Sequence, residues 1–400
     1  MNIIFLTISR ITDINNRGIY TDLMRKFRDK GHNVYIVSPR ERKFKQKTLL
    51  TKQDGINILG VKTLNIQKTN FIEKGLATLL IENQFKKAIQ KHLKGIKFDL
   101  ILYSTPPITL TKTIKHLKKE NKAITYLLLK DIFPQNAVDL NIFSQRSLIY
   151  KLFRKKEKQL YTISDYIGCM SPANVDFLLK HNTEIHKAKV EINPNSIEPE
   201  HPTEVNQNLI RTKYNLPLDK PILIYGGNLG KPQGIDFLIE VLNTHKNRKD
   251  CHFLVIGTGT EFPKIQQWFK ENQPQAATLM EGLPKYEYDK LVKSCDIGLI
   301  FLDKRFTIPN YPSRLLSYLE NKMPILAATD PHTDIGKLAE ENNYGYWCKS
   351  GDIRSFNEKL QKILVSSTSI KEMGENGYKY LQTHYTVEHS YNIIINHFFK

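Results

Sequence analysis

Short apolar runs alternate with segments of helical periodicity along almost the whole chain. Runs such as Ala123–Leu129 and Ile222–Tyr225 are typical of buried parallel strands. Between such runs, segments like Ile235–Leu242 place apolar residues three and four positions apart, which indicates helices. The predicted strands are Ile3–Ile8, Val34–Val37, Asp99–Tyr103, Ala123–Leu129, Tyr166–Met170, Val190–Ile192, Ile222–Tyr225, His252–Ile256, Ala277–Met280, Ile297–Leu302 and Ile325–Ala328. Strands that alternate with helices predict an α/β fold built on parallel sheets.

The alternation is interrupted once, between Glu198 and Pro217, where prolines and polar residues are typical of a linker. The strands and helices before and after this stretch make two halves of similar size. We therefore expect two Rossmann-like domains that face each other across a cleft, residues 1–200 and 201–384, with a C-terminal helix in 385–400 that joins the first domain. Ligands of such sheets bind at the carboxyl ends of the strands, so the loops after the strands become the candidate sites.

The turn after Ile222–Tyr225 combines three glycines with one lysine in the sequence GGNLGK. A strand, a glycine turn and a helix in this order allow backbone N–H groups and a helix N-terminus to approach a phosphate. Glycine permits close approach and a positive φ, and Lys231 adds a full positive charge. The turn is a candidate anion site, and a tight turn whose glycines serve packing alone is the alternative.

Two further strand ends and one helix start offer candidate ligand contacts. Gly257 follows another buried strand, and Glu281–Pro284 presents backbone groups suited to the flat edge of a base. Pro312–Ser313 has the character of a helix start, which would leave the N–H groups of residues 313–315 free for an anion. Arg314 is then placed to clamp a phosphate with two hydrogen bonds, unless it is only a solvated charge in the first helical turn.

The charge of the chain points to an anionic partner. Its 59 Lys and Arg residues exceed the 40 Asp and Glu residues, which gives a formal net charge of +19. Nucleic acid, a membrane surface and a phosphorylated substrate all fit such a balance.

The four cysteines form no CxxC pair, which favours small buried residues over metal ligands or a disulfide. The apolar start of the chain predicts a first strand, not a signal peptide, and no apolar run reaches the roughly 18 residues of a membrane span.

Several longer segments resemble a known family of enzymes. The segments GGNLGKPQG, EGLP and IPNYPSRLLSYLENKMPIL resemble the donor-binding half of retaining GT-B glycosyltransferases of family 4. In the first half of the chain, LLLKDIFPQNAVDL, YTISDYIGCMSP and INPNS are similar to the capsule and O-antigen branch, with N-acetyl-L-fucosaminyltransferases as the nearest subgroup. The resemblance covers nearly the whole chain. It implies a GT-B fold, a UDP-sugar donor held by the C-terminal domain, a polyprenyl-diphosphate-linked sugar acceptor held by the N-terminal domain, and neither cofactor nor metal.

The resemblance also assigns roles to individual residues. It places Asp131 beside the donor sugar and the acceptor, and Lys231 and Arg314 beside the diphosphate, where they would act in catalysis. For Asp131, an N-cap or a structural ion pair is the alternative. The residues predicted to contact the donor are Gly18, Gly226, Gly227, Asn228, Gly257, Glu281, Leu283, Lys304, Asn310, Tyr311, Ser313, Ser317 and Glu320.

The chain departs from the family pattern at two places. Asn228 and Gln233 stand where many members carry an arginine and a lysine, so other basic residues, Lys304 among them, would have to neutralise the diphosphate. Pro309 and Ser317 stand where the family often carries two glutamates eight positions apart. The carboxylate that usually binds the ribose is therefore missing from its place, and Glu320 is the candidate substitute.

The basic residues of the first half predict a partner for the enzyme as a whole. Lysines and arginines cluster in 112–119 and 151–158, which would suit an anionic membrane surface, although solvated helix faces are the alternative. We expect a cytoplasmic protein that is peripheral at the inner face of the cell membrane and binds no nucleic acid.

Three rival functions remain: a UDP-N-acetylhexosamine 2-epimerase, a nucleic-acid-binding protein and a non-catalytic scaffold of a polysaccharide assembly complex. Nucleotide-sugar turnover separates all three from a transferase.

Overall fold

The computed structural model describes residues 1–66, 71–200 and 205–399, and in 71–74 it describes the side chain of Glu73 alone. The chain forms two compact units, Met1–Glu198 with Thr386–Lys400, and Pro199–Tyr385. The chain therefore passes from one unit to the other twice. Part of the predicted linker, residues 201–204, lies outside the described residues, as does the last residue of the predicted C-terminal helix.

The first unit begins with eight strands and six helices. In chain order they are β1 (Asn2–Leu6), α1 (Thr21–Asp29), β2 (Asn33–Glu41), β3 (Leu49–Gln53), β4 (Ile56–Thr63), α2 (Phe71–His92), β5 (Leu100–Ser104), α3 (Thr111–Asn121), β6 (Ile124–Leu129), α4 (Gln135–Asp139), α5 (Leu148–Ile163), β7 (Tyr166–Cys169), α6 (Pro172–His181) and β8 (Val190–Ile192).

The second unit continues the alternation of strands and helices. Its elements are α7 (Gln207–Lys213), β9 (Ile222–Asn228), α8 (Ile235–His245), β10 (His252–Thr258), α9 (Phe262–Asn272), β11 (Ala277–Glu281), α10 (Lys285–Val292), β12 (Ile297–Phe301), α11 (Arg314–Glu320), β13 (Ile325–Thr329), α12 (Ile335–Glu341), β14 (Gly345–Lys349), α13 (Ile353–Leu364) and α14 (Ser367–His384). The last helix, α15 (Val387–Ile395), returns to the first unit.

The sheet of the first unit has the strand order β3-β4-β2-β1-β5-β6-β7-β8, and all pairs are parallel except β3 with β4. Helices α2, α3, α5 and α6 contribute to the apolar core on one face, and α1 and α15 to the core on the other. Because both faces are covered, strands such as β5 are buried at every position. This two-sided burial explains why the strands appear in the sequence as continuous apolar runs.

The antiparallel pair β3–β4 was not predicted. Its turn is Asp54-Gly55, and both residues have a positive φ, of 45° and 78°. An Asp-Gly pair in this conformation is the preferred two-residue hairpin turn, so the sequence carried a local indication of the hairpin. The short, partly polar strand β3 lacks the apolar run from which the other strands were predicted.

The sheet of the second unit has the order β11-β10-β9-β12-β13-β14, and every pair is parallel. The order reverses between β9 and β12, which is the position where open α/β sheets bind their ligands. These two strands pair only at Leu223 with Ile297 and at Ile224 with Gly298, whereas β9 stays paired with β10 up to Asn228. The strands therefore separate at their carboxyl ends and leave a crevice beside the glycine turn.

Every strand predicted from the pattern is present, with ends that differ by at most four residues. The prediction of an α/β fold with parallel, Rossmann-like sheets is thereby confirmed. The pattern did not predict β3, β4 or β14. No helix in the described part of the chain combines the length and apolar character that crossing a bilayer requires.

Helix α15 is fixed to the first unit by polar and aromatic contacts. Ser390 donates a hydrogen bond of 2.7 Å to the side chain of Asn193, and the ring of Tyr391 packs edge-on against Phe27 at 5.1 Å between centroids. Just before the helix, Thr386 forms a parallel β-bridge with Ile197. The last segment of the chain thus completes one face of the first sheet.

Helix α7 is fixed to the second sheet by a buried arginine. The Arg211 guanidinium donates 2.9 Å to the carbonyl of Ser294 and 2.7 Å to Asp296 Oδ2. The same carboxylate oxygen accepts the N–H of Ile222 at the start of β9. Burial raises the pKa of Asp296, so the arginine offsets a charge that is poorly solvated.

We predict that Arg211→Met destabilises the second unit by about 3 kcal/mol at neutral pH, because it leaves Asp296 buried without its counter-charge. Lys213→Met is the matched control on the same helix, since it removes an exposed ion pair with Glu287 and should change the stability little. Both tryptophans of the chain, Trp268 and Trp347, lie in this unit, so fluorescence during urea unfolding measures its stability. Equal effects of the two substitutions would contradict the prediction.

Candidate functional site

Three of the predicted donor contacts lie side by side at the carboxyl edge of the second sheet. Gly257 of β10 pairs with Gly227 of β9 on one side and with Glu281 of β11 on the other. Gly227 and Glu281 are exposed, and Leu283, two residues after β11, is partly buried. Strand β9 extends through Gly226, Gly227 and Asn228, further than predicted, so the glycines are part of the strand end rather than of a separate loop.

The backbone at this edge requires glycine at two positions, for different reasons. A Cβ at Gly257 would lie 1.8 Å from the carbonyl oxygen of Gly227, so no side chain fits there. Gly227 itself has φ +115°, a conformation that other residues rarely adopt. Backbone packing therefore accounts for Gly257, whereas Gly227 of the glycine turn combines an unusual backbone conformation with an exposed position.

The side chain of Arg314 lies directly beside the glycine strand end. Its guanidinium stacks over the ring of Tyr225 at 4.2 Å, and its Nη2 donates 2.8 Å to the Oε1 of Gln233. Its other terminal nitrogen, Nη1, is buried and has no hydrogen-bond partner. An Arg held rigidly by stacking, with one buried donor open, is suited to bind a phosphate oxygen.

Gln233 connects this arginine to the glycine strand end. Its Oε1 also accepts from the Tyr225 hydroxyl at 3.2 Å, and that hydroxyl lies 3.0 Å from the carbonyl of Asn228. Gln233 stands where the family often has a lysine. In this chain the position therefore holds Arg314 in place instead of supplying a second charge.

Two tyrosines that the sequence analysis missed fill the crevice between β9 and β12. The Tyr318 hydroxyl accepts the N–H of Gly226 at 3.3 Å and donates to the carbonyl of Ile224 at 3.1 Å. The Tyr288 hydroxyl occupies the space that a Cβ on Gly226 would need, and burial raises the pKa of Tyr288 to about 12. Tyr318 lies four residues after Arg314 on α11, and this helical spacing was the available clue. No sequence pattern indicated Tyr288.

The two lysines predicted near the diphosphate occupy neighbouring turns. Lys231 is exposed and begins the 3-10 turn Lys231–Gln233, which leads through Gly234 into α8. The N–H of Asp303 donates 3.0 Å to the carbonyl of Pro232, so the loop after β12 is tied to this turn. Lys304 follows directly and is also exposed. Both ammonium groups are therefore available to an anion at this edge.

Helix α11 begins where the sequence predicted, with Ser313 at the N-cap position. The expectation that three N–H groups are free there is wrong, because the N–H of Leu315 donates 3.2 Å to the carbonyl of Pro312. Ser313 itself is exposed. The side chain of Arg314, rather than a row of free amides, is thus the main polar group that this helix start offers.

Several of the remaining residues that were predicted to contact the donor already form hydrogen bonds within the second unit. Tyr311 is buried, and its hydroxyl lies 2.7 Å from that of Tyr385. Glu320 lies at the opposite end of α11 from Arg314, where its carboxylate accepts the N–H of Glu200 at 2.8 Å. Ser317 lies between them, partly buried. Asn310 donates its backbone N–H to Thr333, while its Nδ2 is buried without a partner.

In the first unit, Asp131 follows the carboxyl end of β6. Both of its carboxylate oxygens accept hydrogen bonds from Asn136 Nδ2, at 2.9 and 3.0 Å. The hydroxyl of Thr105, after the neighbouring strand β5, accepts the N–H of Lys130 and donates to the carbonyl of Asp131. The aspartate is therefore held in one orientation at the edge where the sheet would bind a ligand.

Gly18 lies in the loop between β1 and α1. Its N–H donates 2.9 Å to Asp22 Oδ1. The other oxygen of Asp22 accepts the N–H of Glu198, the last residue before the chain enters the second unit, at 3.1 Å. Arg17 donates to the carbonyl of Glu198, so the Gly18 loop holds the backbone of the crossing point on both sides.

Lys130 is a titratable residue that the sequence analysis did not single out. Its Nζ donates 3.0 Å to the carbonyl of Asn193, and burial lowers its pKa to about 7. Asn193 is itself held by Tyr126 and by Ser390 of α15. The sequence did not indicate that this lysine, directly before a candidate catalytic aspartate, has a lowered pKa, since its burial depends on contacts with residues distant in the chain.

No three His, Cys, Asp or Glu side chains of the described residues are grouped closely enough to hold a metal ion. The candidate site of the second unit consists instead of amide, hydroxyl and basic groups. Such a set of donors is suited to an anion.

Comparison with known proteins indicates the class of the enzyme. Residues 206–380 match the family of glycosyl transferases group 1. The "Probable glycosyltransferase WbjE" of Pseudomonas aeruginosa is 23% identical over 287 residues, which cover 71% of this chain and 70% of that protein. The "Putative colanic acid biosynthesis glycosyl transferase WcaI" of Escherichia coli (strain K12) is 24% identical over 144 residues, 35% of this chain and 34% of that protein.

A solved structure resembles the chain over its full length. HepE of Anabaena, in complex with UDP and glucose, superposes with a TM-score of 0.71 at 14% identity, covering 100% of this chain and 99% of HepE. At this identity the likeness shows the fold. The match of residues 206–380 and the similarity to WbjE confirm the prediction that the chain is a glycosyltransferase.

The lowered pKa of Lys130 predicts a pH-dependent stability. Between pH 7 and 10 the unfolded chain holds a proton on this lysine that the folded chain has released, so the free energy of unfolding rises with pH. Relative to Lys130→Met, the wild-type protein should gain roughly 1 kcal/mol per pH unit between pH 7 and 9. Unfolding followed by far-ultraviolet circular dichroism at pH 7, 8 and 9 measures this difference.

Lys189→Met is the control, since Lys189 also donates to a backbone carbonyl of the first unit. A constant difference between wild type and Lys130→Met over this pH range would contradict the prediction.

Proposed function

We propose that the enzyme transfers a sugar from a UDP-sugar to a polyprenyl-diphosphate-linked sugar, with retention of configuration, during capsule or O-antigen synthesis. The observation that carries the proposal is that the Arg314 guanidinium lies beside the exposed backbone of Gly227 while its Nη1 is buried without a hydrogen-bond partner. The positively charged guanidinium therefore has a hydrogen-bond donor without a partner until an anion binds. A diphosphate is the anion that a glycosyltransferase must bind at this edge of the sheet.

The donor would lie along the carboxyl edge of β9, β10 and β11. In this proposal the diphosphate contacts Gly227, Lys231 and Arg314, and the uracil reaches Glu281 and Leu283. The complex of HepE with UDP and glucose supports a UDP-sugar as the donor class. The residue-by-residue resemblance favours an N-acetylated amino sugar such as N-acetyl-L-fucosamine.

Electrostatic stabilisation of the leaving group would drive the reaction. As the bond from the sugar to UDP breaks, negative charge grows on the diphosphate, and Lys231 and Arg314 stabilise that charge in the transition state. The rigid stack of Arg314 on Tyr225 reduces the reorganisation that this stabilisation requires. Asp131 is proposed to orient the acceptor hydroxyl or to stabilise an oxocarbenium-like centre.

The acceptor would be a lipid-linked sugar. The similarity to WcaI, whose name assigns it to colanic acid biosynthesis, supports an acceptor that belongs to polysaccharide assembly. We propose that the enzyme acts without a cofactor at the anionic inner face of the cell membrane, on the cytoplasmic side. The basic residues of the first unit are consistent with such a surface.

The decisive experiment for the donor is UDP release from a panel that contains UDP-N-acetyl-L-fucosamine, UDP-GlcNAc and UDP-glucose, with and without a short lipid-diphosphate-linked sugar. We expect acceptor-dependent release from one donor. UDP binding without turnover of any donor would point to another acceptor or donor. Failure to bind UDP at all would refute the site and favour the scaffold function.

We predict that Lys231→Ala and Arg314→Ala each lower kcat by on the order of 100-fold, because each removes a charge that stabilises the leaving diphosphate. Lys270→Ala, an exposed lysine on α9, is the control and should retain wild-type turnover. Tryptophan fluorescence verifies that the second unit is folded in each variant. Near-wild-type kcat in both active-site variants would exclude their proposed role.

A further inference from the structure

The first unit exposes an unusual set of large apolar side chains on two helices. On α2, Leu79 is 51% exposed, and on α5, Leu148 and Leu152 are 81% and 47% exposed. We use the term apolar rim for the set Leu76, Leu79, Leu80, Ile142, Leu148, Ile149 and Leu152, all of which are exposed. On each helix the spacing of three and four residues places the leucines and Ile149 on a common face, and Ile142 lies in the segment between α4 and α5.

Helices α2, α3 and α5 contribute to the same core cluster on one face of the sheet. The N-terminal half of α2 is tied to the start of α3, because Glu82 accepts the N–H of Thr113 at 3.3 Å and Thr109 donates to the carbonyl of Thr78 at 2.8 Å. At the other end of α3, Lys118 pairs with Asp165, just after α5, at 2.7 Å.

These hydrogen bonds and this ion pair indicate that the three helices run in the same direction. Each begins after the carboxyl end of a parallel strand, respectively β4, β5 and β6. Their N-terminal ends therefore share one edge of the unit, and the apolar rim lies along it. Asp131 lies at the same edge, eleven residues before Ile142 in the chain.

Most of the exposed charges close to the apolar rim in sequence are basic. The sequence contains no Asp or Glu in 75–81, 105–119 or 140–156, and the nearest acidic residues along the chain are Glu73, Glu82, Glu120, Asp139 and Glu157. The exposed basic residues of the same segments include Lys112, Lys115, Arg146, Lys151 and Lys155. Exposed leucines together with exposed lysines match the chemistry of an anionic lipid bilayer, where apolar groups enter the acyl boundary and cations meet phosphates.

We propose that the apolar rim inserts into the surface of a bilayer that contains anionic phospholipids and so docks the first unit on the membrane. The purpose of this docking rests on the proposed function, because a lipid-linked acceptor lies in the bilayer and the rim would bring Asp131 to its surface. The docking itself depends only on the leucines, isoleucines and lysines of this edge. The exposed lysines and arginine of these segments favour an anionic bilayer over a protein partner as the occupant of the rim.

Vesicle flotation of the full chain tests the proposal. The probes are vesicles of pure phosphatidylcholine and vesicles with roughly 30% phosphatidylglycerol, a fraction at which anionic lipid attracts basic surfaces. We expect the wild-type protein to float with the anionic vesicles. The double variants Leu148→Ser with Leu152→Ser, and Leu79→Ser with Leu80→Ser, should each lower the partition coefficient by roughly tenfold or more, since buried apolar area drives insertion.

The matched control is Leu209→Ser with Val365→Ser, which removes two equally exposed apolar side chains of the second unit. It should float like the wild type. Flotation of both rim variants at wild-type levels would overturn the proposal, as would failure of the wild type to bind anionic vesicles, which would leave a protein partner as the occupant of the rim.

UDP binding in the absence of vesicles separates this proposal from the proposed function. Loss of flotation with unchanged UDP affinity in the rim variants supports docking by the rim. A wild-type protein that floats but binds no UDP would refute the donor site and leave the apolar rim standing.

Discussion

The separation of β9 from β12 is the constraint on which the candidate site depends. Two neighbouring parallel strands that stop pairing leave backbone N–H and C=O groups without partners, and buried groups of this kind must find other hydrogen bonds. The Tyr318 hydroxyl supplies them, since it accepts the N–H of Gly226 and donates to the carbonyl of Ile224. Because a tyrosine and not a strand fills the gap, the glycine end of β9 remains open, and α11 is held where Arg314 lies beside it.

The sequence predicted those parts of the fold that depend on local pattern. Strands buried on both faces require continuous apolar runs, so the central strands of both sheets were found with small errors at their ends. The hairpin β3–β4 was missed because β3 is short and partly polar, although Asp54-Gly55 marks its turn. The edge strand β14 was missed for a related reason, since only two of its five positions are buried and it gives only a weak apolar run.

Residues of the candidate site were predictable from the sequence only where a residue type has one dominant structural or chemical role. Glycines before a helix and an arginine at a helix start were recognised from the sequence, and the structure brings them together at one edge. Their partners were not recognised, because Gln233, Tyr288 and Tyr318 acquire their roles through contacts between distant segments. For the same reason the sequence did not reveal that Tyr311 and Glu320 are engaged by Tyr385 and Glu200, or that burial lowers the pKa of Lys130.

The return of α15 to the first unit has a consequence for the order in which the protein is completed. The ribosome delivers residues 199–385 as one uninterrupted stretch before α15, so all of the second unit is available to fold while the first still lacks its last helix. Until then Phe27 and Asn193 have neither Tyr391 nor Ser390 to cover them. The unit that is synthesised first is thus completed only after the second unit, and removal of α15 would leave an apolar face of the first unit exposed.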